Sequence, residues 1–152
     1  MGSRWQQLII PLFSERIIGF SIPQEDSILV VSYEGMHIIH LTEEPVKVET
    51  DEDFAEYDCY DPDTGIAEYQ GRTWSIIGLY RGTPILKSLY DEDLRLDSKG
   101  LSVAIWRNGT EIWSSSFENF SGDWVEATFS PKGDLVVLGC PYDFDFRVWR
   151  RC

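Results

Sequence analysis

The stretch Leu101–Trp113, LSVAIWRNGTEIW, decides how this chain is read. Two β-prone runs flank Arg107-Asn108-Gly109-Thr110, and Asn-Gly between such runs is the strongest short-range signal for a two-residue hairpin. A type I′ turn with positive φ at both Asn108 and Gly109 is expected. Working outward, Tyr33-Glu34-Gly35-Met36 and Tyr69-Gln70-Gly71-Arg72 carry the same kind of signal, and Gly35, Gly71 and Gly109 stand 36 and 38 residues apart. A fourth turn falls near Asp143-Phe144-Asp145, without the glycine. Even periods of about 40 residues with several strands per unit mark β-propeller blades.

The strands expected in each unit follow from short β-branched and aromatic runs broken by Gly, Pro and Asp. The first unit takes Ile17–Phe20, Ile28–Tyr33, Met36–Leu41 and Val46–Val48. The second takes Glu56–Cys59, Ile66–Tyr69, Arg72–Ile77 and Ile85–Ser88. Leu94–Leu96, Leu101–Trp106 and Thr110–Ser115 make the third. The fourth has Val125–Phe129, Leu135–Cys140 and Phe146–Arg150 and lacks an outer strand, while Trp5–Leu12 is a spare strand before the first unit. Pairing the two would close the array and remove an open edge. The fold class expected is therefore all-β: one domain over residues 1–152, a small propeller-like array of about four blade units.

A resemblance supports blades. Trp124–Leu138, WVEATFSPKGDLVVL, followed by Arg147-Val148-Trp149, resembles the WD-repeat family, whose blades often read as a Phe-Ser-Pro-x-Gly turn, an apolar run and a hairpin ending in an apolar-Trp pair. Phe20-Ser21-Ile22-Pro23 before Ile28–Val31 is similar. Trp149 is followed by Arg150 where the family's hallmark has Asp. The resemblance implies protein–protein interaction as the commonest role.

Charge narrows the classes of partner. The chain has 26 acidic against 13 basic residues, a formal net charge of -13. Nucleic acid and anionic membranes both call for a basic footprint, so neither is expected as a partner. No apolar run approaches a membrane span, and Leu8–Phe13 is too short for a convincing leader. Cys59, Cys140 and Cys152 show no metal or redox spacing, and buried reduced thiols fit a cytoplasmic protein.

Catalysis is not expected. His37 and His40 lie three apart in one strand and so point to opposite faces. Ser114–Ser116 lack a glycine-framed nucleophile elbow, and neighbouring carboxylates make Cys59 a poor nucleophile. Asp61-Pro62-Asp63-Thr64-Gly65 reads either as a tight turn or as part of a calcium loop, though the twelfth position is Arg72 rather than Glu. No cofactor and no metal site is expected. Trp74, Trp106, Trp113 and Trp149 read as core or inter-unit packing, with a sugar-stacking platform as the alternative.

The strand order groups acidic loops on one face, and Glu34, Asp51, Glu52, Asp53, Asp91, Glu92, Asp93, Asp143 and Asp145 are the expected partner-binding residues. A basic protein surface would relieve their mutual repulsion and associate quickly. The function expected is a non-enzymatic interaction module for a basic protein. The alternatives are a glycan-binding lectin, a toxin-neutralising immunity-type protein and, last, a hydrolase.

Overall fold

The computed structural model describes residues 5–10, 17–32, 35–42, 46–51, 60–61, 63–78, 82–97, 102–116, 125–140 and 145–152. Among these the chain is all-β, with curled antiparallel sheets and no helix. The strands are β1 (Trp5–Leu8), β2 (Ile17–Ser21), β3 (Ser27–Ser32), β4 (Met36–His40), β5 (Lys47–Asp51), β6 (Tyr60–Asp61), β7 (Ile66–Tyr69), β8 (Arg72–Gly78), β9 (Asp93–Asp97), β10 (Ser102–Arg107), β11 (Thr110–Ser116), β12 (Glu126–Phe129), β13 (Leu135–Cys140) and β14 (Asp145–Arg151). Of the expected strands, Glu56–Cys59 lies outside the described residues. Ile85–Ser88 is not a strand: Lys87 forms a single bridge to Asp93.

Turn chemistry sets the hairpins. Asn108 and Gly109 have φ of 53° and 76°, and Gln70 and Gly71 have 53° and 74°. Positive φ at both central residues matches the right-handed twist of the flanking strands. The Gly65 amide donates to the Asp61 carbonyl at 2.9 Å and the Asp63 amide to Asp61 Oδ1 at 2.9 Å, so residues 63–65 form a turn closed on Asp61.

Three sheets result, ordered β1-β14-β13-β12, β11-β10-β9 and β5-β4-β3-β2-β8-β7-β6. In the first, β1 adds to β14 in register, Trp5 opposite Arg151 and Leu8 opposite Val148. The spare strand at the start of the chain thus completes the unit at its end. The seven-stranded sheet departs from four separate units: β2 and β8 pair directly, Phe20 opposite Ile77, so the first two units share one sheet. That sheet curls into a half-barrel until Tyr69 of β7 meets Asp51 of β5.

The cores follow from period-two alternation. Ile18, Leu29, Val31, Met36 and Ile38 face the inside of the half-barrel with Tyr69, Trp74 and Ile76. Ile28, Val30 and Ile39, on the other face, pack against Leu135, Val137 and Val148 of the four-stranded sheet. The reverse face of that sheet, with Val136, Leu138 and Trp149, packs on Val103 and Ile105. β3 and β13 are therefore buried on both faces, which is why they read as unbroken apolar runs. Gly139 permits the close approach of the sheets, since a Cβ there would lie 2.5 Å from Phe20 Cε1.

Candidate interaction surface

β14 is anchored at its C-terminal end. At its last residue, the Arg151 guanidinium is held between two aromatic rings, 4.5 Å from the Trp5 centroid and 4.3 Å from that of Tyr90. It donates to both carboxylate oxygens of Glu92, Nη1 to Oε2 at 3.1 Å, and to the Gly133 carbonyl. Glu92 is 1% exposed and also accepts from Ser88 Oγ at 2.9 Å. Burial pushes its pKa up, but the bonds from Arg151 and Ser88 outweigh that and the net shift is downward. One residue earlier, Arg150 donates to the Leu41 carbonyl at 3.2 Å, tying this end to the seven-stranded sheet. Close by, segment 85–87 bridges two sheets. Phe129 N donates to the Ile85 carbonyl at 2.9 Å and Leu94 N to that of Leu86 at 2.8 Å.

Those of the expected acidic residues that lie among the described residues do not gather on one face. Asp91, Glu92 and Asp93 belong to the Arg151 end, whereas Asp145 begins β14. Seven residues of strand separate those ends by roughly 20 Å. Asp51 also lies away from Arg150: it pairs with Met36, while Leu41, at the other end of β4, meets Arg150. Glu92 is moreover an internal ion-pair partner, unable to present its carboxylate to another protein. The reason is geometric. The Glu92–Arg151 pair holds the 88–92 segment at the last residue of β14, a whole strand length from Asp145. Asp91 is exposed, with Lys87 Nζ 3.8 Å away. Glu34, Glu52, Asp53 and Asp143 lie outside the described residues.

At the end away from Arg151, Asp51 adjoins an open cleft of about 370 Å³ lined by Ile38, Glu49, Thr50, Asp51, Tyr69 and Gln70. The Tyr69 hydroxyl donates to Asp51 Oδ2 at 2.9 Å across it. Glu49 accepts from His40 Nε2 at 3.0 Å, and that bond, with the charge of His40, holds its carboxyl below the usual range. The sequence reading missed Glu49 and Tyr69 as one constellation. Alternation puts Glu49 on the same side of β5 as Asp51, but only the curl of the sheet brings Tyr69 to them. A second cavity continues along the β7–β8 hairpin past Glu68 to Arg72.

Other candidate groups have internal roles. His37 is 2% exposed, with Nε2 3.1 Å from Ser32 Oγ and Nδ1 2.9 Å from Thr50 Oγ1. Ser32 Oγ donates to the Gly35 carbonyl at 3.0 Å. The Ser32–His37–Thr50 chain thus ties the β3–β4 turn to β5 inside the sheet. Trp74 and Trp149 are buried, and Trp149 packs edge-on to Trp113 at 5.2 Å. Trp106 lies beneath Arg95 at 4.5 Å. Among the described residues no cluster of His, Cys, Asp and Glu could hold a metal ion, and no helix is long and apolar enough to cross a membrane. No protein-family model matches the chain, and no curated protein matches it.

Proposed function

We propose that this chain is a non-enzymatic interaction module of the cytoplasm that binds a basic protein surface. The observation that carries the reading is the cleft between β5 and the β7–β8 hairpin, where Glu49 and Asp51 stand at an opening in a protein of net charge -13. A cationic side chain entering it would meet two carboxylates beside the Tyr69 hydroxyl. The surrounding field would steer such a partner toward it. A toxin-neutralising, immunity-type protein would use this chemistry. The alternative lectin role draws less support, because Trp74 and Trp149 are turned inward. The scaffold is read as propeller-like, supported by the four-strand order β1-β14-β13-β12 and by its packing between two further sheets, with the first two units merged through β2–β8.

The test is capture from native extract on the immobilised protein, with one elution by salt and one by free sugars. Salt elution of basic proteins, weakened when Glu49 and Asp51 are replaced by Gln and Asn, is the expected result. Elution by sugars alone would point to the lectin instead.

A further inference from the structure

We propose that the outer edge of β5, which no strand covers among the described residues, receives an extended segment of a partner as an added antiparallel strand, in the order basic, any, basic, any, acidic. This rests on the reading of a basic partner given above and names how that partner is held. The phase of the ladder carries the argument. Ser32 N donates to the Gly35 carbonyl at 3.0 Å, which fixes a hydrogen-bonded position at the β3–β4 turn. Antiparallel pairs alternate between bonded and non-bonded positions. By the observed register, Val30 with His37 and Ile28 with Ile39 are then the bonded pairs between β3 and β4. Met36, Ile38 and His40 turn their backbone groups to β5 instead, opposite Asp51, Glu49 and Lys47. Val48 and Thr50 are left with N–H and C=O pointing away from β4. Among the described residues neither has another backbone partner.

An open ladder of this kind is a template for strand addition. The side chains beside it specify the occupant. Asp51, Glu49 and Lys47 share one side of β5, that of Met36 and Ile38, and the cleft opens on that side. Directly opposite cross-strand pairs favour opposite charge. An antiparallel partner therefore sets cations opposite Asp51 and Glu49 and an anion opposite Lys47. Its residues opposite Thr50 and Val48 supply the ladder bonds.

The probe is the capped peptide Thr-Lys-Val-Lys-Val-Glu-Thr, with two controls: the same peptide N-methylated at both valines, and the charge-reversed Thr-Glu-Val-Glu-Val-Lys-Thr. Affinity is read by fluorescence anisotropy at low salt, and site occupancy by amide hydrogen exchange at Val48 and Thr50. The expected result is slowed exchange at both amides, with either control binding weaker by roughly tenfold or more, the loss of one or two strong contacts. Equal binding of the methylated peptide overturns strand addition. If that binding also falls in the E49Q/D51N variant, the acidic surface survives as a contact without a ladder. Failure of all three peptides to bind overturns the inference, and the capture experiment then decides separately whether a basic partner exists. Binding with unchanged exchange at Val48 and Thr50 overturns the assigned edge.

Discussion

The outer edges of β14 and β5 pose the same problem, and the chain resolves them differently. Both strands would expose unpaired N–H and C=O groups at the side of a sheet. On β14 that edge is covered by β1, some 140 residues away in sequence, and the junction is fastened by Trp5, Arg151, Tyr90 and the buried carboxylate of Glu92. On β5 the outer edge has no neighbouring strand among the described residues, and the groups beside it are charged and half-open to water. The difference teaches that charge serves opposite ends in the two places. Buried with its partner, Glu92 specifies one closure. At an edge with no adjoining strand among the described residues, the exposed Glu49 and the half-buried Asp51 discourage association with other acidic chains while remaining receptive to a cation.

The largest expected effect comes from breaking the closed edge. Arg151→Met leaves the 1% exposed Glu92 without its cation, and removing one member of a buried pair costs about 3–5 kcal/mol. Chemical unfolding should show that loss, and the double change with Glu92→Leu should recover much of it. Stability unaltered in the single variant would mean that the pair does not fasten the strand.

Deleting residues 1–8 removes β1 with its half-buried Trp5 and Leu8, a loss of roughly 2–4 kcal/mol of apolar burial. It also bares the β14 edge, so light scattering should report self-association. A monodisperse product with an unchanged melting temperature would count against closure by β1.

Gly109→Val asks how much of the fold is local hairpin chemistry. With φ at 76° and no atom within 4 Å of a built Cβ, the penalty is backbone strain alone, on the order of 1–3 kcal/mol. A larger loss would show that the turn carries tertiary contacts.

Acid should separate Glu92 from Glu126, on β12, by sign. The pKa of Glu92 is lowered in the folded protein, so its contribution is complete above the unfolded value near 4.5 and is lost as pH falls through the lower folded value. Glu126 is shifted up by burial. It therefore opposes folding above the unfolded value, and that cost disappears as pH falls below it. Unfolding curves between about pH 3 and 7 should show a falling acid limb that is weakened in Arg151→Met. Glu126→Gln should gain stability at neutral pH.

The smallest effect on the fold is expected at the open edge. Asp51→Asn keeps an acceptor for the Tyr69 hydroxyl, and Glu49 is exposed, so the melting transition of the double variant E49Q/D51N should match the parent. A marked fall in melting temperature would reassign Asp51 to the architecture rather than to the surface.

Much of this was legible in local residues. Asn108-Gly109 dictated its turn because few other dipeptides accept positive φ twice, and the apolar runs of β3 and β13 announced strands, whose burial on both faces the packing then supplied. The pairing of an early strand with β14 was legible too, from a strand in excess at one end of the chain and one missing at the other, though of the expected Trp5–Leu12 only Trp5–Leu8 pairs among the described residues. Three-dimensional packing decided the rest. Nothing in the sequence around Phe20 or Ile77 signals that β2 and β8 pair, because backbone hydrogen bonding is blind to side-chain identity and edge partners are chosen by which faces can be buried together. Glu92 looks in sequence like either of its acidic neighbours. Only the arrival of Arg151 from the far end of the chain makes it an internal counter-ion, since the worth of a carboxylate depends on how much water and which cation surround it.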